Sequence, residues 1–403
     1  MIIKKTVKGV SCYIVPKKGF VQKQAMAVVR FGSDTAGFNT QNGHTDIPAG
    51  TAHFMEHLMF ASPQGNLMDK FSALGAEANA FTAFDKTAYY FTCTDNFYES
   101  LEVLVNMVFT RHFTKENIDG ERKIITEEIN MYKDDARWQC YFSLLKCLYP
   151  DTAIANEIAG SVKDIKNIDE NLLCTCFDNF YIPENIAFIA AGDIDIDKFC
   201  ETVEKNTPNP CKKTAERDMP ENTIKGKNYA ENRMDISTPF FYVGFKEKNT
   251  PISAESIVKM RIILECAAGE CSALYARLLN EGLAEVPLGF EYLKGSYYGA
   301  GLLFGESTKP RKTAEYILTE LENAAENGLK NAAAVVKKQR GELIMQTESL
   351  NGISMPIADC FAKNVDFLDI LKLYDTIDIG GLLMQRPEYT AVSIVYGRTR
   401  KKE

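Results

Sequence analysis

Two of the chain's four histidines stand in His53-Phe54-Met55-Glu56-His57, an H-x-x-E-H array. The segment carries helix signals, with Pro48 close to its start. Residues three and four apart share a helix face, so His53, Glu56 and His57 project together while Phe54 and Leu58 turn toward a core. Two imidazoles on one face can hold zinc, and a carboxylate beside them can act as base on a water held there. The bland alternative is two histidines that happen to lie close and are satisfied by hydrogen bonds in a core. A chance array of this kind arises in about one chain of this length in several hundred, which favours the metal.

A catalytic zinc ordinarily takes three protein ligands plus water, so a third ligand is needed. The segment Glu121-Arg-Lys-Ile-Ile-Thr-Glu-Glu-Ile-Asn-Met-Tyr132 offers candidates. At about 100° per residue its apolar stripe runs through Ile124, Ile125 and Tyr132; Glu128 falls inside it and Glu127 points away. A carboxylate on a packed face is costly unless it is paired, hydrogen-bonded or metal-bound, so Glu128 is expected to be buried and to be the third ligand. Glu121, two turns earlier on nearly the same face, is a candidate catalytic group that orients a histidine or the substrate; a purely structural role stays open for it. Glu127 reads as a solvated surface acid.

These residues resemble the pitrilysin/insulinase family of zinc peptidases, which includes the mitochondrial processing peptidase. Gly50-Thr-Ala-His-Phe-Met-Glu-His-Leu-Met-Phe60 looks like the family's inverted zinc motif, and Glu121 to Glu128 like its downstream ligand helix. Gly75-Ala-Glu-Ala-Asn79-Ala-Phe-Thr82 with Thr87-Ala-Tyr-Tyr90 is similar to the strands beside the family's active site. The likeness is close over the first half and holds in outline over the second; bacterial two-domain members come nearest. It implies zinc held by His53, His57 and Glu128, Glu56 as general base, and a peptide substrate enclosed between paired chains or within a double-length chain. The strand Asn79, Ala80, Phe81 and Thr82 would be the sheet edge on which an extended peptide lies.

One departure stands out. Active members carry an Arg and, seven residues on, a Tyr in the second half that stabilise the oxyanion, whereas those positions here hold Leu278 and Glu285, with Arg277 one residue out of phase. Tyr292, Tyr297 and Tyr298 are substitutes, although aromatic residues in a strand are more often packing. The expectation is a dimer, with a non-identical homologous chain supplying the Arg-Tyr pair. A non-catalytic homologue serving as an assembly or peptide-binding subunit is the competing reading; an intact metal set argues against it. A zinc enzyme acting on something other than peptides is weaker still.

The elements that must position these groups follow from periodicity. Strands are expected near 9–15, 24–32, 77–83, 86–93 and 185–192, and helices near 49–60, 66–74, 95–110 and 114–148. After a polar, proline-bearing stretch come strands near 239–245, 287–293, 299–305 and 391–397, with helices at 254–268 and 312–347. The two halves repeat one order, a weak internal duplication. The fold class is α+β: two homologous domains, each a mainly antiparallel sheet with helices packed on it, on one face of each sheet. The domains are 1–206, carrying the metal constellation, and 236–403, with 207–235 as linker.

Composition agrees with an ordinary globular protein: 403 residues, 45 % apolar, with 54 acidic against 46 basic side chains. The net charge of -8 lacks the cationic surplus that nucleic-acid binding depends on. No stretch has signal-peptide character or approaches the roughly 20 apolar residues that span a bilayer, so the expected location is cytoplasmic, with no membrane partner. Eleven scattered cysteines fit a reducing compartment, and Cys174-Thr175-Cys176 lacks the spacing of a structural zinc site.

Overall fold

The computed structural model describes residues 2–41, 43–210, 215–220, 226–247, 251–327, 329–380, 382, 384–387 and 389–398. The chain forms two compact units. One comprises Met1–Ile129, Glu157–Asp218 and Met345–Asn364; the other comprises Asn130–Asn156, Met219–Ile344 and Val365–Glu403.

In chain order the first half gives strands β1 (Ile3–Val7), β2 (Val10–Pro16) and β3 (Lys23–Val29), then helices α1 (Thr51–Leu58) and α2 (Leu67–Ala73). The hairpin β4 (Ala76–Thr82) and β5 (Thr87–Cys93) follows, then helices α3 (Phe97–Phe109), α4 (Lys115–Asp134) and α5 (Ala136–Leu148). Helix α6 (Glu170–Phe180), strand β6 (Ile186–Gly192) and helix α7 (Ile196–Asn206) complete it. The second half gives β7 (Tyr229–Met234), β8 (Phe240–Lys246), α8 (Ala254–Ala268), α9 (Ala273–Asn280), β9 (Gly289–Lys294) and β10 (Gly299–Glu306). It ends with α10 (Pro310–Asn327), α11 (Ala332–Gln346), α12 (Leu350–Ala362), α13 (Phe367–Thr376) and β11 (Thr390–Gly397).

The first sheet runs β1-β2-β6-β3-β5-β4 and the second β7-β11-β8-β10-β9. Among the described residues, the only parallel pair in each joins an early strand to the last one, β2 with β6 and β7 with β11, and the other pairs are antiparallel. Apart from β1, the two orders superpose strand for strand, so the α+β class and the internal duplication expected from the sequence are both present.

Helices cover both faces of each sheet, not one. Gln24 on β3 and Arg30 just beyond its end point to α12: Gln24 hydrogen-bonds Asn351, and Arg30 donates to the Phe361 carbonyl at 3.0 Å with its guanidinium 3.8 Å from the Phe361 ring. Alternate residues point the other way, where Phe91 and Phe188 pack on Phe97 and Phe109 of α3. The second sheet repeats this. Its Gly244 lies under Leu144 and Leu148 of α5, and Tyr242 meets Tyr141 at 5.5 Å, while Phe241 and Val243 join the core with Leu264 and Ile317. Each sheet is therefore covered on one face by helices of its own half and on the other by a helix from the opposite half of the chain. Order along the sequence carries no sign of that exchange.

Three further differences have local causes. The expected helix at 114–148 is two, because Asp135 caps α5 by accepting from the amides of Arg137 and Trp138. Helices α6, α7, α9, α12 and α13 lie outside the expected elements; Pro356 sits inside α12 and interrupts its helical signature. In 207–235, the described residues include Glu216–Arg217, paired with Gly37–Thr40, and β7, whose largely exposed edge position explains its missing apolar alternation; residues 211–214 and 221–225 lie outside the described residues. The described cysteines are all free thiols, and among the described residues no helix is long and apolar enough to cross a membrane.

Candidate metal centre

Helix α1 starts at Gly50, whose φ of 88° is a left-handed value that a side chain rarely adopts. A Cβ there would meet the Ala159 carbonyl oxygen at 2.4 Å, and one on Gly160 would meet that of Ala49 at 2.3 Å. The two glycines thus let the helix start press against the 159–160 backbone. Phe54, Met55 and Leu58 then anchor the inner face, each fully buried. His53, Glu56 and His57 share another face, as the spacing requires.

Helix α4 crosses that face. Arg122 fixes it by donating to the carbonyls of Ile165 and Ile168 at 3.2 and 2.8 Å, and its guanidinium lies 5.8 Å from the Phe54 ring. The buried stripe of α4 is Ile118, Ile125 and Ile129; Ile124, expected within it, is 55 % exposed. Glu128 sits at the stripe's margin, its side chain 27 % exposed, so it is half-buried where burial was expected. Glu127 is exposed.

Glu128 Oε2 lies 3.6 Å from His53 Nε2 and 3.5 Å from His57 Nε2. Both separations exceed an ordinary hydrogen bond. Two donors held about 2.1 Å from a tetrahedral zinc stand about 3.4 Å apart, so each histidine is spaced from Glu128 as two ligands of one ion are, and the three ligand atoms lie within 4.8 Å of one another. Two imidazoles and one carboxylate also match the donor set of a catalytic zinc. Among the described residues this is the only group of histidine, cysteine, aspartate and glutamate side chains with such convergence.

Around the three ligand atoms, each remaining group has a defined place. Glu121 Oε2 lies 3.1 Å from His57 Nδ1, on the side of the ring away from Glu128. His53 Nδ1 is buried and makes no hydrogen bond among the described residues. Burial alone would lower the His57 pKa, but its contacts with Glu121 and Glu128 and the charge of Glu56 outweigh that and push it up to about 9. Glu56 Oε2 accepts a hydrogen bond from Thr82 Oγ1 at 2.6 Å. Behind Glu56, Tyr89 and Tyr181 share a buried hydroxyl contact of 2.8 Å, and burial raises both pKa values. No sequence signal ties Thr82 or this tyrosine pair to Glu56, because Thr82 and Tyr89 lie on the hairpin and Tyr181 at the end of α6, and only the fold brings them together.

Strand β4 is the edge of the first sheet. Asn79 is exposed, and its Oδ1 accepts from the Ala80 amide at 2.8 Å; Phe81 lies half-buried, 6.4 Å edge-on to Tyr90. In the second unit, the residues named above as substitutes for an Arg-Tyr pair all have other surroundings. Tyr292 donates to Glu247 at 2.5 Å, Tyr297 and Tyr298 are buried, and Leu278 is core. Arg277 is exposed, but it donates to Glu281 at 3.1 Å and stacks 3.6 Å from the Tyr316 ring.

Residues 44–161 match the family model described as insulinase, peptidase family M16, and residues 167–338 match the peptidase M16 inactive domain. The uncharacterised zinc protease YmfH of Bacillus subtilis strain 168 is 31 % identical over 383 residues, 92 % of this chain and 88 % of that one. A solved structure from Alicyclobacillus acidocaldarius, described as an M16-like peptidase, superposes with a TM-score of 0.93 at 28 % identity over 98 % of both chains. A protease from Helicobacter pylori shares the fold, with a TM-score of 0.80 at 19 % identity over 98 % of this chain and 99 % of that one.

Proposed function

The chain belongs to peptidase family M16, the insulinase family, and from that premise we propose that it is a zinc-dependent endopeptidase whose metal is held by His53, His57 and Glu128. The observation that carries the reading is the convergence of those three ligand atoms with the Glu56 carboxylate beside them on the same helix. Bound there, zinc would supply Lewis acidity, making a water acidic enough to attack near neutral pH and polarising the scissile carbonyl.

The chain's own residues do the rest. Glu56 takes the proton of the attacking water and later delivers it to the leaving amine, so one carboxylate serves as base and then as acid. Glu121, at His57 Nδ1, holds that ring's orientation and leaves Nε2 as ligand. The open edge of β4 receives an extended peptide through backbone hydrogen bonds largely independent of its sequence, an incoming carbonyl taking the place of Asn79 Oδ1 at the Ala80 amide. Such edge-binding fits an endopeptidase acting on extended peptides, and the eleven scattered cysteines fit a reducing, cytoplasmic setting.

We read the second unit as unable to stabilise the oxyanion, since Leu278 and Glu285 stand where the Arg-Tyr pair would be. A second, homologous chain carrying that pair would complete the site, because such a donor stabilises charge that develops only in the transition state. The deciding experiment measures cleavage of a mixed peptide pool by the zinc-loaded chain, alone and mixed with a homologue that has the Arg-Tyr pair but no H-x-x-E-H. The expected result is slow cleavage alone and a rise of about 100- to 1000-fold on mixing. Brisk cleavage unaffected by the added homologue defeats the partner requirement, and no cleavage in either case defeats the peptidase reading.

A further inference from the structure

The side chain of Thr82 faces the base. Its Oγ1 donates to Glu56 Oε2 at 2.6 Å, in the range of a hydrogen bond to a charged carboxylate. A threonine hydroxyl has one proton to give. The other hydroxyl nearby, Thr87 Oγ1, is 3.5 Å away and gives its own proton to the Phe31 carbonyl at 2.8 Å. The Thr82 proton is thus committed to Glu56.

We propose that Thr82 is the positioning residue for Glu56: its hydroxyl occupies Oε2, sets the rotation of the carboxylate, and leaves Oε1 as the oxygen that takes the proton of the attacking water. This rests on the endopeptidase reading and deepens it by naming the reactive oxygen and the group that aims it. It also separates two roles along one strand. The backbone of β4 serves the substrate, and the side chain at its end serves the base.

The hydroxyl is held by a rigid support. Thr82 pairs with Thr87 across the hairpin, and the turn closes through the Ala83 amide on the Lys86 carbonyl at 2.8 Å. The amides of Ser33 and Asp34 bond the carbonyls of Ala83 and Phe84 at 3.0 and 2.8 Å. That approach needs Gly32, where a Cβ would lie 2.3 Å from the Phe84 carbonyl oxygen. Beneath the turn, the buried Lys86 ammonium contacts Asp85 and Asp359 at 3.0 and 2.7 Å, and Lys363 contacts Asp85 at 2.6 Å. A group that orients a catalytic carboxylate must itself be immobile, and these contacts make it so.

The test compares the zinc-loaded full chain with Thr82→Val, which keeps the shape and removes the proton donor, and Thr82→Ser, which keeps the donor. Zinc content, kcat and KM on a peptide cut by the parent, and crystal structures of all three are measured. The expected result is unchanged zinc, KM within about twofold, kcat lowered about 10- to 100-fold in Thr82→Val, and recovery to within about threefold of the parent in Thr82→Ser. The crystals should show the Glu56 carboxylate turned in Thr82→Val and parental in Thr82→Ser. Parental kcat in Thr82→Val, equal loss in both variants, a raised KM with unchanged kcat, or an unmoved Glu56 overturns the inference. A parent that binds zinc and cuts nothing fails the peptidase reading instead, and the crystals then decide the positioning alone.

Discussion

The Glu121 carboxylate meets His57 at Nδ1, 3.1 Å away, on the opposite side of the ring from the nitrogen that faces Glu128. A histidine held this way keeps one ring angle before any ion arrives, and Glu121 holds the proton at Nδ1 when Nε2 gives up its own to become a ligand. Replacing Glu121 with Gln should therefore weaken zinc affinity about 10- to 100-fold without abolishing it. Glu128→Gln should lose more, and Glu127→Gln nothing. Competitive titration with a chelator ranks the three, and equal losses for Glu127 and Glu128 would remove Glu128 from the ligand set.

Glu56→Gln should retain zinc and lose hydrolysis, since the amide keeps the shape of the carboxylate but cannot accept the proton. His53→Ala and His57→Ala should lose both. The check is elemental analysis alongside turnover; near-parental cleavage by Glu56→Gln would move the base elsewhere.

Zinc uptake should be coupled to proton release. The metal-free His57 has its pKa raised to about 9, above the unfolded value of about 6.5. The stabilisation by its carboxylate partners is thus fully present below about pH 6.5 and fades as pH rises through about 9. A ligand nitrogen must give up that proton, so apparent zinc affinity should rise about tenfold per pH unit between about pH 7 and 9, then level off. Calorimetry at pH 7 in buffers of different ionisation enthalpy should report about one proton expelled per zinc. No buffer dependence would mean that His57 is already neutral.

The buried charges beneath the hairpin should govern the local stability of the first unit. The burial of Asp85 alone would raise its pKa, but Lys86 and Lys363 hold it down at about 2. Its contribution is thus present above the unfolded value of about 3.9 and is lost as pH falls toward 2. Asp85→Asn leaves a buried ammonium short of a counter-charge and should cost about 3 kcal/mol at neutral pH. The chain's single tryptophan, Trp138, lies on α5 in the other unit, so fluorescence is a poor reporter here. Hydrogen exchange of the β4 and β5 amides should quicken in the variant, and parental protection would show that the charges are redundant.

What could be read in advance was local. The H-x-x-E-H array is legible because ligand chemistry and helical spacing fall within five residues, and Glu128 because the step of about 100° per residue turns it to a different face from Glu127. Even there, the stripe was read through Ile124, which the structure exposes, because apolar character alone does not say which side of a helix packs. The Thr82 contact with Glu56 and the Lys86 contact with Asp359 join residues far apart in sequence, and neither partner has a type unusual enough to announce the other. Strand β7 hid because an edge strand can be polar, and α12 because its proline contradicts a helix that tertiary packing nevertheless enforces.

The exchange of α5 and α12 sets the order in which the protein can mature on the ribosome. The first sheet has all its strands once Gly192 has emerged, yet the helix that shields one of its faces begins about 160 residues later, a delay on the order of ten seconds at ordinary elongation rates. Over that interval an apolar face of β3 and β6 stands open, an invitation to chaperones and to aggregation alike. Helix α5 has the reverse history, waiting for a sheet not yet made. A nascent chain released early would lack the layer that α12 supplies, and a gene cut between 207 and 235 would yield two fragments that each lack a layer.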